Sequence, residues 1–252
     1  MIEAFATSDV GKARQINEDS FYLSKPEDTI KIFIVADGMG GYNGGEIASK
    51  LAVEAARNYI ISNFEKSKED KETLISLVKS SLQYANMVVY EKAKSNDELK
   101  NMGTTMDVCL IYQNKVFIAH IGDSRVYRIR KEFMRKLTKD HSYVQQLVDE
   151  GKITKEESIN HPKKNMLMKA IGCSQYIEPD AMVKGFIKGD ILLMCSDGLT
   201  NMLSEEKIYS ILKNNNVDPS KELIEKANEA GGLDNITAVI IKWGERDYEF
   251  NR

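Results

Sequence analysis

The period of the apolar residues changes only a few times along this chain, and that grouping limits the folds open to it. Ile2–Thr7, Ser20–Ser24 and Ile30–Ala36 are short runs rich in β-branched and aromatic residues. Asn, Asp, Gly and Pro bound them, so they read as strands. From Glu46 to about Lys94 the period lengthens. In its second half Leu74, Val78, Leu82, Ala85 and Val89 recur at three- and four-residue steps and line one helix face. Two long amphipathic helices are expected there. Asp107–Arg130 returns to strand character as an antiparallel meander, with Val108–Tyr112, a polar turn at Gln113-Asn114-Lys115, Val116–Ala119 and Val126–Ile129. His141–Lys169 is polar and helical in pieces, with a capping box at Thr154–Glu157, and reads as a surface insertion over 142–168. Strands resume at Ala181–Ile187 and Ile191–Cys195. Helices follow at Glu205–Lys213 and Pro219–Glu229, and a strand closes the pattern at Ile236–Trp243. Strands and helices come in blocks and do not alternate one by one, which favours a layered α+β architecture over a doubly wound parallel sheet.

No Pro/Gly/Ser linker, internal repeat or charge block divides the 252 residues, so one domain over 1–252 is expected. Lys and Arg total 35 against 38 Asp and Glu. A net charge of −3 offers no polycationic surface for a phosphate backbone, so nucleic-acid binding is not expected. Met1–Ala4 carries no basic leader, and the apolar run Ile191–Cys195 is far too short to cross a bilayer. No membrane association and a cytoplasmic location are therefore expected. The 3 cysteines, Cys109, Cys173 and Cys195, form no C-x-x-C pair and read as reduced, mostly buried thiols.

Acidic residues fall at the strand ends. Asp37 follows Ile32–Ala36, Asp123 follows Val116–Gly122, and Asp197 follows Ile191–Ser196. Asp234-Asn235 precede Ile236–Val239, and Glu18-Asp19 precede Ser20–Tyr22. A carboxylate is costly to bury unless it is paired or binds a cation. Several such ends converging would make an all-oxygen site suited to Mg²⁺ or Mn²⁺. Other phosphate chemistries fail on particular residues. Gly40–Gly45 has phosphate-loop glycine spacing, but Glu46 stands where that loop needs lysine. A cysteine nucleophile needs an arginine six positions on, where this chain has Lys115, Pro179 and Asn201. His120, His141 and His161 form no H-E-x-x-H pair, so a zinc hydrolase is not expected, and His120 reads as a hydrogen-bonded core residue.

Seven strings carry a resemblance: Gly11–Asp19, Val35–Gly41, Gly103-Thr104-Thr105, Ile121–Arg125, Ala170-Ile171-Gly172, Cys195–Leu199 and Asp234–Thr237. In order and almost end to end they resemble the motifs of the metal-dependent serine/threonine protein phosphatases of the 2C class (PPM family), in its bacterial form. The resemblance implies a four-layer αββα sandwich, with two antiparallel β-sheets flanked by pairs of antiparallel helices. It implies a metal site at one end of the sandwich, with Asp19, Asp37, Asp197 and Asp234 as carboxylates of a two-metal centre and the carbonyl of Gly38 as a further ligand. Glu18 is then an acidic neighbour acting through water. Asp123 holds a third Mn²⁺ or Mg²⁺, shared with Asp197, and Arg14 grips the substrate phosphate. Segment 142–168 corresponds to the family's flap beside the cleft.

The implied activity is metal-dependent hydrolysis of phosphoserine and phosphothreonine in proteins by a water activated at the two-metal centre. It would oppose a bacterial serine/threonine kinase and would be carried by a monomer without a covalent phosphoenzyme. Arg14 suits its role because its planar fork meets two phosphate oxygens. One departure concerns proton donation. Met39 and Tyr42 stand where members of the family have histidines, which leaves a water, Tyr42 and His141 as candidates for the donor to the leaving alkoxide. Arg125 reads as structural, paired with an acid on a neighbouring strand. Two other readings are a non-catalytic relative working as a binding or sensing module, and a phosphatase acting on an anti-anti-sigma factor in a stress or sporulation switch. The first is disfavoured because all four metal carboxylates are present.

Overall fold

In a computed structural model the described residues are 1–40, 44–214 and 217–244. Tyr42 and the part of the polar C-terminal tail beyond Gly244 lie outside them. Two five-stranded sheets make the centre. In chain order the strands are β1 (Ile2–Asp9), β2 (Ser20–Leu23), β3 (Lys31–Ala36), β4 (Gly38–Met39), β5 (Gly103–Thr104), β6 (Met106–Tyr112), β7 (Lys115–Ile121), β8 (Arg125–Arg130), β9 (Phe133–Lys136), β10 (Asp180–Gly185), β11 (Ile191–Cys195) and β12 (Ile236–Trp243). One sheet runs β1-β12-β11-β8-β9 and the other β10-β7-β6-β3-β2, every pairing antiparallel, while β4 and β5 form a separate two-stranded ribbon.

Period-2 alternation explains the layers. On β3, Ile32, Ile34 and Ala36 face the helices α1 (Gly44–Ser67) and α2 (Lys71–Ser95), whereas Phe33 and Val35 face the other sheet. On β12, Ile236, Ala238 and Ile240 face a second helical layer, and Val239 and Ile241 turn inward to meet Phe33 and Val35. That second layer follows two short surface helices, α3 (Tyr143–Asp149) and α4 (Lys155–Ile159). It comprises α5 (Asp197–Thr200), α6 (Glu205–Asn214) and α7 (Pro219–Glu229). The result is the αββα sandwich that the resemblance implies. Strands buried on both faces lose the polar/apolar alternation of a half-exposed strand, which is why β3, β6 and β7 read as almost continuous apolar runs.

Local signals set the joints. Asp70 caps α2 by accepting from the Thr73 amide. Gln113 and Asn114 both adopt left-handed φ (46° and 59°), the geometry that joins β6 to β7 with the native strand twist. Insertion 142–168 is closed at its base, where the Tyr143 amide donates to the Met166 carbonyl and the Met168 amide to the His141 carbonyl. Neither α3 nor α4 buries a residue, as a surface insertion requires. Cys109 and Cys195 are buried free thiols and Cys173 is an exposed one. No described helix is long and apolar enough to cross a membrane.

Candidate metal centre

The strand ends bring their aspartates to one edge of the sandwich. Asp37 leaves β3, Asp19 enters β2 and Asp123 follows β7, all from one sheet; Asp197 leaves β11 and Asp234 enters β12, from the other. Backbone hydrogen bonds fix Asp37 from both sides. Its amide donates to Thr105 Oγ1 (3.0 Å), and its carbonyl accepts from the Thr105 amide (2.9 Å) and Thr104 Oγ1 (2.8 Å). These bonds give the Gly103-Thr104-Thr105 string a physical purpose. Gly38 follows in a crevice where a Cβ would lie 2.2 Å from the Gly45 carbonyl oxygen and 2.4 Å from that of Glu18. Only glycine lets the chain pass there. Gly11, at φ 78°, is similarly required, because a Cβ would meet the Asp234 carbonyl oxygen at 2.2 Å.

Asp19 is nearly buried. Its Oδ2 accepts from Ser196 Oγ (2.8 Å) and Thr237 Oγ1 (2.7 Å), while its Oδ1 is buried without any hydrogen-bond partner. A buried carboxylate oxygen left bare costs roughly 1–3 kcal/mol or more, so it marks a place for a cation. Burial pushes the Asp19 carboxyl up to about 7 against the two hydroxyl donors, with Asp197 and Asp234 repelling it further. Asp37 rises well above the carboxylate range through burial and then through repulsion by Asp19, Asp197, Asp123 and Asp234. Burial and Asp197 together bring Asp123 to about 7, with Asp140 adding to the rise and Arg125 opposing it. Asp197 is raised by burial and by Asp234, against a hydrogen bond from Asn201 Nδ2 (3.0 Å). These carboxylates cannot all be ionised together unless positive charge is supplied. Among the described residues no three His, Cys, Asp or Glu side chains converge on one ion-sized point as they stand. The donor set nevertheless fits hard divalent cations, being all oxygen, mutually repelling and containing an orphaned oxygen.

Around this cluster the other expected residues fall as follows. Arg14 is half exposed and its Nη2 donates to Asp234 Oδ2 at 2.9 Å, which holds the guanidinium at the rim. Glu18 lies beside the start of α1, where the Gly45 amide bonds its carboxylate; burial still raises its pKa, with Arg14 opposing. Arg125 is paired as expected, but its acid, Asp140, sits on the loop after β9 and not on a strand (Nη2–Oδ2 2.8 Å). His120 is fully buried between Asp107 (Nδ1–Oδ1 2.7 Å) and the Lys139 carbonyl (2.9 Å), a core role. His141 accepts from the Gly122 amide through Nδ1 (3.2 Å), and burial followed by His120 and Lys169 pushes its pKa down to about 4. It is therefore neutral at pH 7 and a poor proton donor, which removes it from the candidates for that step. Asn235 holds the site's backbone through contacts that the sequence did not display. Its Oδ1 accepts from the Glu18 amide (2.8 Å), and its Nδ2 donates to the carbonyls of Val10 and Ile16 (both 2.9 Å). It thereby clamps the loop that carries Arg14. Three bonds to one neutral amide from residues more than 200 positions away leave no trace in local pattern.

Comparison with known proteins agrees with this geometry. The family profile described as protein phosphatase 2C matches residues 11–228. A serine/threonine phosphatase stp of Listeria innocua is 39% identical over 240 residues, covering 93% of each chain. Protein phosphatase PhpP of Streptococcus pneumoniae is 36% identical and covers 98% of this chain and all of its own. The crystal structure of the Mycobacterium tuberculosis serine/threonine phosphatase PstP/Ppp superposes with a TM-score of 0.87 at 34% identity, covering 97% of this chain and 99% of that one. A PstP catalytic domain solved in complex with two manganese ions gives 0.81 at 33% identity, covering 97% and 99%. Profile, sequence and structure comparisons thus agree with the fold, and the chain belongs to the protein phosphatase 2C family of metal-dependent serine/threonine phosphatases.

Proposed function

We propose that Asp37, Asp197, Asp234 and Asp19, with the carbonyl of Gly38, hold two divalent cations at the edge of the sandwich. Asp123 and Asp197 would hold a third, and Glu18 would act from behind them. The observation that carries the assignment is the mutual repulsion of buried carboxylates around the bare Oδ1 of Asp19. When bound, Mn²⁺ or Mg²⁺ supplies Lewis acidity at the phosphate and lowers the pKa of the attacking water.

The chain's own groups do the rest. Arg14 uses one of its five N–H donors on Asp234 and keeps the others for phosphate oxygens, so the dianion can take over the guanidinium while Asp234 turns to a cation. Ser196 and Thr237 favour the ionised form of Asp19, and Thr104 and Thr105 fix where Asp37 points. Met39 carries no proton and His141 is neutral, which leaves a water, our first choice, or Tyr42 to protonate the departing serine or threonine alkoxide. The substrates are phosphoserine and phosphothreonine proteins, including those of a cognate kinase, and the working unit is a monomer in the cytoplasm.

The test is phosphate release from a phosphothreonine peptide with and without Mn²⁺, using Asp197→Asn as the control for a contaminating enzyme. Metal-dependent release that the variant lacks is the expected result. No release at any Mn²⁺ or Mg²⁺ concentration would favour the non-catalytic binding module.

A further inference from the structure

A groove of about 670 Å³ leaves the carboxylate cluster along the seam between β2 and α1. Asn17 and Asp19, the one proposed metal ligand among its lining residues, border one end, so the groove opens beside the proposed metal centre. Phe21 and Tyr22 form one wall, with Phe21 and the neighbouring Ile16 partly exposed. Glu46, Lys50, Glu54 and Arg57 of α1 stand on the other. The two cations differ in kind. Lys50 is paired with Glu46 at 2.6 Å. Arg57 stacks its guanidinium over the Tyr22 ring at 4.7 Å, its Nε is buried without a hydrogen-bond partner, and among the described residues it makes no ion pair. Glu54, three residues earlier on α1, lines the same groove but is exposed and makes no ion pair with Arg57. A half-buried guanidinium held flat by an aromatic ring, with no anion of its own, is built to receive one from outside.

We propose that this groove seats the stretch of substrate flanking the phosphorylated residue, and that Arg57 receives the carboxylate of an aspartate or glutamate in that stretch. The proposal rests on the phosphoprotein-phosphatase reading above. Spacing follows from geometry. Arg57 lies twelve residues beyond Gly45, the residue that meets Glu18, and at 1.5 Å rise that is about 18 Å along α1. An extended peptide advances about 3.3 Å per residue. The acidic residue therefore belongs about five positions from the phosphorylated one, or slightly fewer because helical side chains lean toward the N-terminus.

The experiment measures kcat/KM for phosphothreonine peptides in a neutral background, each with a single Glu three to seven positions before or after the phosphothreonine. The wild-type protein should favour a glutamate about five positions away on one side by about three- to tenfold, the range of a partly exposed charge-assisted pair. Arg57→Gln should abolish the preference, Arg57→Lys should retain part of it, and Arg57→Glu should turn it toward a lysine at the same spacing. A wild-type protein that hydrolyses all the peptides equally would overturn the proposal, and that comparison needs no variant to fold. So would a preference that survives in Arg57→Gln. Failure of the underlying reading looks different: the wild-type protein would then release no phosphate from any peptide, or from p-nitrophenyl phosphate, with Mn²⁺ present.

Discussion

At the scale of single residues, the edge of this sandwich is held by neutral polar groups as much as by charge. Ser196 Oγ accepts from the Thr237 amide (3.0 Å) and donates to Asp19 Oδ2, so one hydroxyl ties β11, β12 and the start of β2 together. His141 extends the same logic behind Asp123. Its ring stacks on His120 with centroids 4.7 Å apart, its Nε2 lies 3.4 Å from Asp180 and its Nδ1 takes the Gly122 amide, an acceptor role that requires the neutral ring. Between about pH 6.5 and about 4 the unfolded chain binds a proton on this histidine that the folded chain excludes. Stability from His141 is therefore complete above pH 6.5 and is lost as the pH falls toward 4. His141→Asn keeps an acceptor for Gly122 and does not titrate. Unfolding midpoints of wild type and variant measured from pH 7.5 to 4.5 should differ most at the alkaline end and converge on acidification. A gap constant with pH would show that His141 does not exclude the proton. The sequence displayed the acidic residues at the strand ends as a pattern, but not the partners that hold them. Asn235, Ser196 and Thr105 act through contacts between residues far apart in the chain, and no local period records such contacts.

At the scale of elements, α2 shows which parts of a fold a linear pattern can carry. Leu74, Val78, Leu82, Ala85 and Val89 form the buried face that their spacing predicts. Twenty-five residues give that period room to declare itself. Two-residue strands do not, and β4 and β5 therefore went unread, although their pairing sets Gly38 opposite Thr104. On the buried face of α2 also sits Asn86, 1% exposed, against the apolar rule. Its Oδ1 accepts from the Gly172 amide (2.8 Å), and its Nδ2 donates to the carbonyls of Ser174 (3.0 Å) and Gln175 (3.2 Å). It fastens the loop whose Ile171 bridges to Thr104, and Thr104 in turn holds the Asp37 carbonyl. Asn86→Ala strips partners from this loop and should lower stability by about 2–3 kcal/mol. The check is urea unfolding, with the midpoint lowered and the slope unchanged. A loss under about 0.5 kcal/mol would mean that water replaces the amide and that the loop needs no anchor on α2.

At the scale of the whole molecule, the site draws its acids from both sheets. Asp19, Asp37 and Asp123 sit at ends of one, Asp197 and Asp234 at ends of the other, and their repulsion acts across the interface that Phe33, Val35, Val239 and Ile241 close by apolar contact. The fold thus spends stability on a cluster that pushes its two halves apart, and under the proposed assignment cations held by both sheets would return it. This coupling predicts opposite effects of one substitution in two conditions. Asp197→Asn removes a carboxylate whose charged form burial and Asp234 disfavour, yet still offers Asn201 Nδ2 an acceptor. In EDTA the variant should melt a few degrees above wild type. With Mn²⁺ at a hundred times its dissociation constant the wild-type protein gains about 2.7 kcal/mol, which is about 5–10 °C for a domain of this size. The variant should lose most of that rise, so the order of the two melting curves reverses when the metal is added. A variant that melts below wild type in EDTA and still gains the full Mn²⁺ shift would show that Asp197 neither strains the cluster nor binds the metal. A reversal would place the stability cost and the metal affinity in the same carboxylates.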